Sequence, residues 1–129
     1  MKGQQKKIML VEDHMLLAVL ETKILQKAGY EVLHFLNGED AVEQINRGTS
    51  FDLIIMDIDL GEGINGVTAA RKISKLSEIP VLFFTSYSED EVEQLAGNFN
   101  SYTCLSKLSP VHMLHTKIEK ILSVTSVLL

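Results

Sequence analysis

Short apolar runs alternate along the chain with longer stretches whose apolar residues recur at helical spacing. Lys7–Val11, Glu31–Phe35, Leu53–Met56, Val81–Phe84 behind Pro80, and Tyr102–Leu105 read as strands. The run Leu53–Met56 is apolar throughout, as expected of a strand covered by helices on both faces. Between the strands the pattern predicts helices over Met15–Ala28, with Leu17, Leu20, Ile24 and Ala28 on one face, and over Glu39–Asn46 behind an Asn37 cap. A third helix covers Val67–Leu76 after the glycine-rich Gly61–Gly66. Ser88 and Glu91, at capping-box spacing, start a fourth that Gly97 ends. The fifth is capped by Ser109, has Pro110 at its first position, and carries a stripe of Val111, Leu114, Ile118, Ile121 and Leu122. Strict alternation of strand and helix implies an α/β fold with a parallel sheet and right-handed crossovers.

The residues that close the strands carry the chemistry. Glu12 and Asp13 follow the first apolar run, Asp57 the third, Thr85 the fourth, and Lys107 comes just after the fifth. Parallel strands put all their C-terminal ends at one sheet edge, where open α/β folds bind ligands. Clustered carboxylates repel and call for a cation. Oxygen donors without Cys or His company suit Mg²⁺, with Mn²⁺ as a substitute. A carboxylate beside such a metal can attack phosphorus, a Lys ammonium can neutralise phosphoryl oxygens, and a Thr hydroxyl can donate to them.

Composition narrows the rest. The 129 residues fit one domain, and 46% hydrophobic content supports a core. With a net charge of -5 and a basic cluster of only Lys2, Lys6 and Lys7, direct nucleic-acid binding is not expected. A single Cys suits a reducing compartment, the polar start Met1–Lys7 does not read as a signal peptide, and the apolar runs are far short of a membrane span. A cytoplasmic location is the expectation. His14 reads as a helix-start residue, and His34, His112 and His115 have no metal-ligand company. The apolar ending Val124–Leu129 leaves open a packed tail, a homodimer contact or the start of a longer connection.

Taken in order, an acidic pair, an Asp, a Thr and a Lys at successive strand ends resemble the response-regulator receiver domains of the CheY-like family, over about Lys6–Leu122 of a single domain spanning 1–129. The resemblance implies a flavodoxin-like, doubly wound sheet of five parallel strands in order 2-1-3-4-5 with five helices. It implies Asp57 as phosphoacceptor for a histidine kinase or phosphotransfer protein. Mg²⁺ would sit on Asp13, Asp57 and the Asp59 backbone carbonyl, with Glu12 acting through water. Thr85 would be the switch hydroxyl and Lys107 the phosphate-contacting cation. Asp59 and Tyr87 would flank the path of the hydrolytic water, and output would pass to a partner or an attached effector domain.

Four departures from the family pattern stand out. Glu12 replaces a frequent Asp, and the Gly61–Gly66 loop lacks a common Pro and is one residue longer than usual. That loop form resembles a receiver subgroup often attached to sensor kinases or second-messenger enzymes. Leu108 stands where Pro normally follows the Lys, and Cys104 occupies the aromatic switch position. The Lys107–Leu108 bond is therefore expected to be trans. Tyr102, two residues back on the same pleat face, is expected to lean partway toward Thr85.

Two other readings stay open from the residues. Asp57-Ile58-Asp59, with Thr85 and Lys107 following, also resembles a haloacid-dehalogenase-type phosphatase, although Glu119 is the one acid after Lys107. A receiver-fold interaction module that no longer uses phosphorylation is the other.

Overall fold

The structure, a computed structural model, describes residues 5–99 and 102–128. Lys2 and most of the apolar ending Val124–Leu129 lie outside the described side chains. Strands β1 (Lys7–Val11), β2 (Glu31–Phe35), β3 (Leu53–Met56), β4 (Val81–Thr85) and β5 (Thr103–Ser106) alternate with helices α1 (Met15–Lys27), α2 (Gly38–Asn46), α3 (Gly66–Ser74), α4 (Glu89–Ala96) and α5 (Val111–Leu128). All strand pairings are parallel, in the order β2-β1-β3-β4-β5, which is the flavodoxin-like order expected.

The strands divide their side chains between two cores by simple alternation. Met9, Val11, Ile54, Met56, Val81 and Phe83 pack against Ala41 and Ile45 of α2, Val67, Ala70 and Ile73 of α3, and Val92 and Ala96 of α4. Ile8, Leu10, Leu53, Ile55, Leu82, Phe84 and Leu105 face the other way, onto Leu25 of α1 and Leu114, Ile118 and Leu122 of α5. Both faces of the sheet are therefore covered, which explains the uninterrupted apolar runs of β3 and β4.

Two helix faces differ from expectation. The buried stripe of α1 is Ala18, Glu21 and Leu25, whereas Leu20 is 49% exposed and Ala28 is exposed. The first half of the helix, Met15–Leu20, is apolar all round, so periodicity alone does not choose its inner face. In α5 the first helical residue is Val111, not Pro110, and Val111 is half exposed. The Pro110 carbonyl instead accepts from Met113 in a tight first turn. Strand β5 likewise starts at Thr103, one residue after the expected Tyr102.

Where α3 starts, the chain passes directly under the end of β3. The Gly66 N–H donates to the Ile58 carbonyl at 2.8 Å, and a Cβ at Gly66 would overlap the Asp57 carbonyl oxygen. Because the obstacle is backbone, no side-chain rotation relieves it. Gly66→Ala should therefore cost ~1–3 kcal/mol or more and displace the β3–α3 junction. Urea unfolding measures it: an unchanged midpoint would show that the junction yields freely.

Candidate functional site

Backbone hydrogen bonds fix the C-terminal edge of the sheet. Asp57 N–H donates to the Val11 carbonyl, Glu12 N–H to the Phe35 carbonyl, and Lys107 N–H to the Thr85 carbonyl, at 2.9–3.0 Å. Each of these three residues thus sits one step past its strand, still in ladder contact with its neighbour. Glu12, Asp13, Asp57, Asp59 and Lys107 line one cleft of about 600 Å³, together with His14, Leu17, Leu20, Glu21 and Ile24 from the α1 side and Leu108, Val111 and Leu114 from the α5 side. Thr85 closes β4 beside this cleft, 1% exposed, its hydroxyl oxygen accepting from Tyr87 N–H at 3.3 Å.

Lys107 is the electrostatic centre. Its ammonium donates to Asp57 Oδ2 at 2.9 Å and to Glu12 Oε1, and lies 3.8 Å from Glu21 Oε2. Burial pulls the Lys107 pKa down, but the hydrogen bonds to Glu12 and Asp57 more than offset it, so the group stays charged. The trans Lys107–Leu108 bond matches expectation, since no cis bond occurs among the described residues. Pro is not needed to aim the lysine. The Thr85 carbonyl anchors its N–H, and Ser106 turns the following segment through Leu108 N–H to Oγ at 3.1 Å and Ser109 N–H to the carbonyl at 3.0 Å.

Among the described residues, Glu12, Asp13 and Asp57 form a cluster fit for a metal ion, each offering a carboxylate oxygen within 4.8 Å of the others. The donor set is all hard oxygen, as Mg²⁺ or Mn²⁺ requires. His14 takes a different part: its Nδ1 accepts from Leu17 N–H and caps α1, while its backbone N–H donates to Glu12 Oε2 at 3.0 Å. His34 braces the same strand end, its Nε2 lying 2.7 Å from the Glu12 carbonyl.

The glycine-rich loop is shaped by two acids. Asp59 Oδ1 accepts from Gly61 N–H at 3.1 Å, and Glu39 Oε2 accepts from Ile64 N–H at 2.9 Å. That second bond holds the Glu39 carboxyl below its ordinary range. Gly61 and Gly63 both adopt positive φ, which makes this path around the acids inexpensive.

The aromatic region departs from expectation. Tyr102 is anchored on the α4 side: its hydroxyl donates to Glu93 Oε2 at 2.9 Å on α4, and its ring packs edge-on to Phe83 and Phe99. Cys104 is half buried against the same core, and burial pushes its thiol pKa up. The Glu93 carboxylate on α4 supplies the partner for the ring's hydroxyl.

Reading the residues alone missed Glu21. It is 8% exposed on the inner stripe of α1 and stands beside the Lys107 ammonium. The available signal was the helix's single acid, three residues after Ala18 and four before Leu25.

Comparisons with known proteins agree with this geometry. The family described as "Response regulator receiver domain" matches residues 8–119. The transcriptional regulatory protein YrkP of Bacillus subtilis is 34% identical over 114 residues, covering 87% of this chain and 47% of its own length. The chain thus spans about half of that regulator. The response regulator receiver protein CpdR of Brucella abortus is 30% identical, with 91% of this chain and 97% of its own covered. Among solved structures, the N-terminal domain of a response regulator/sensory box/GGDEF three-domain protein from Carboxydothermus hydrogenoformans superposes with a TM-score of 0.87 at 39% identity, covering 95% of this chain and 98% of that one. The acids that precede Asp57 complete the cluster, whereas Glu119, the acid a haloacid-dehalogenase-type site would need, lies in α5 outside it. The chain belongs to the response regulator receiver domain family, the receiver domains of two-component response regulators.

Proposed function

We propose that the chain is a phosphoacceptor that takes a phosphoryl group from a histidine kinase or phosphotransfer protein onto Asp57, and acts as a signalling domain rather than a turnover enzyme. The observation that carries this reading is the Lys107 ammonium held against Asp57 beside the Glu12–Asp13–Asp57 cluster. A carboxylate oxygen of Asp57 attacks the phosphorus of a phosphohistidine. The P–O bond forms as the P–N bond breaks, and the leaving imidazole nitrogen takes the electron pair and a proton. Lys107 neutralises charge on the phosphoryl oxygens, and the Thr85 hydroxyl donates to one of them. Mg²⁺, held by Asp13, Asp57 and the Asp59 carbonyl with Glu12 behind, would supply further charge neutralisation at those oxygens. Loss of the phosphoryl group is a second transfer, to water: the water oxygen attacks phosphorus and gives up a proton to solvent, the P–O bond to Asp57 breaks, and the carboxylate keeps the electron pair as phosphate leaves.

Exposed apolar residues beside the site support a protein donor. Leu20 on α1, Leu108 after β5 and Val111 on α5 line the cleft and are 49%, 91% and 49% exposed. A patch of this kind at a cleft rim fits a protein partner better than a small molecule. The domain would work in the cytoplasm, inside a longer protein or alone, with output through an attached effector or a partner. The likeness to the N-terminal domain of a response regulator/sensory box/GGDEF protein favours attached domains of those kinds as one such effector.

Incubation with acetyl phosphate and Mg²⁺ should add one phosphoryl group per chain, read by intact mass, and Asp57→Asn should abolish it. Labelling of Asp57→Asn at the wild-type rate would move the acceptor elsewhere and remove the reading.

Asp59 and Tyr87 follow Asp57 and Thr85 by two residues each, and Asp59 lines the cleft. Asp59→Asn and Tyr87→Ala should each change the rate at which the label is lost. If both decay curves superpose on the wild type, neither residue governs access of the hydrolytic water.

A further inference from the structure

Glu21 has no part in the chemistry described so far, yet its position is costly. It lies 8% exposed on the stripe of α1 that otherwise presents Ala18 and Leu25 to the core, where an apolar side chain would serve packing. Its carboxylate reaches the cleft that holds Asp57 and Lys107, with Oε2 3.8 Å from the Lys107 ammonium. That ammonium has three N–H donors, of which Glu12 and Asp57 each receive one. A small movement of either side chain would give the third to Glu21.

We propose that Glu21 is a positioning residue for phosphoryl transfer: from α1 it competes for the Lys107 ammonium and so sets how readily that ammonium serves the phosphoryl group on Asp57. This rests on the phosphoacceptor reading. An ionised Glu21 draws Lys107 back from Asp57 and also repels the incoming phosphate, both of which slow capture. A protonated Glu21 does neither.

The groups that face Glu21 are Lys107 from the loop after β5, Glu12 from the end of β1 and Asp57 from the end of β3. Asp13, His14 and Asp59 line the same cleft, and α5 contributes Val111 and Leu114 to it. Burial raises the Glu21 pKa most, Lys107 opposes it, and Glu12 and Asp57 raise it further, to about 7. The competition therefore strengthens as pH rises through neutrality.

The test uses the full chain with acetyl phosphate and Mg²⁺, following the labelling rate by intact mass from about pH 6 to pH 8. The wild-type rate should fall roughly three- to tenfold across that range, the effect of one partly screened charge. Glu21→Gln should hold its low-pH rate throughout. Glu21→Leu, which fills the same stripe with an apolar side chain, should behave like Glu21→Gln and separates lost charge from lost packing. In the absence of a phosphoryl donor, the ¹⁵N resonance of the Lys107 ammonium should shift with a midpoint near neutrality in the wild type and not in Glu21→Gln. A labelled wild type whose pH profile is shared by both variants overturns the inference and leaves the phosphoacceptor reading intact. A wild type that takes no label overturns the phosphoacceptor reading, and with it the role in transfer; the Lys107 resonance then still decides whether Glu21 and Lys107 are coupled.

Discussion

One ammonium surrounded by carboxylates organises this molecule. Lys107 holds Asp57 and Glu12 by hydrogen bonds and stands beside Glu21, so a single cation from the loop after β5 ties together the ends of β1 and β3 and the inner face of α1. Removing a group from such a partly buried cluster leaves its partners' charge uncompensated, which costs more than the pair itself contributes. The same imbalance makes the edge reactive. With Asp13 counted, acids outnumber the available cation, and the remaining negative charge favours a metal ion at the Glu12–Asp13–Asp57 cluster.

The fold delivers these groups through main-chain contacts. Asp57, Glu12 and Lys107 each donate a backbone N–H to the neighbouring strand one step beyond the end of their own. The close passage of Gly66 beneath the Asp57 carbonyl seats α3 against the end of β3. The substitution of Leu108 for the usual Pro is therefore absorbed locally, by the Thr85 carbonyl and the Ser106 side chain and carbonyl, without moving the lysine off Asp57.

Strand ends were legible in the sequence because a change from apolar to charged residues at the end of a buried strand is both a structural and a chemical signal. Asp57 after Met56 and Lys107 after Ser106 could be placed at one edge without coordinates. Helix orientation was less legible. In α1 the residues Met15, Leu16, Leu17, Val19, Leu20 and Ile24 give no single apolar face, so the true inner stripe, with Glu21 on it, depended on contacts with the sheet and with Lys107. Tyr102 illustrates the other gap. Its strand parity was readable, but its anchor, Glu93, lies on α4, and only the packing of Phe83 and Phe99 decides which way the ring turns.

The demand for a cation at this edge is most directly tested by titrating Mg²⁺ while following thermal unfolding. The account predicts that the wild type binds one Mg²⁺ per chain and is stabilised by mass action, by ~2.7 kcal/mol at a hundredfold excess over the dissociation constant. Asp13→Ala should lose most of that gain while melting no lower than the wild type without metal, since one repelling carboxylate has gone. A wild-type melting temperature that ignores Mg²⁺, or an Asp13→Ala protein that responds to it equally, would contradict the account.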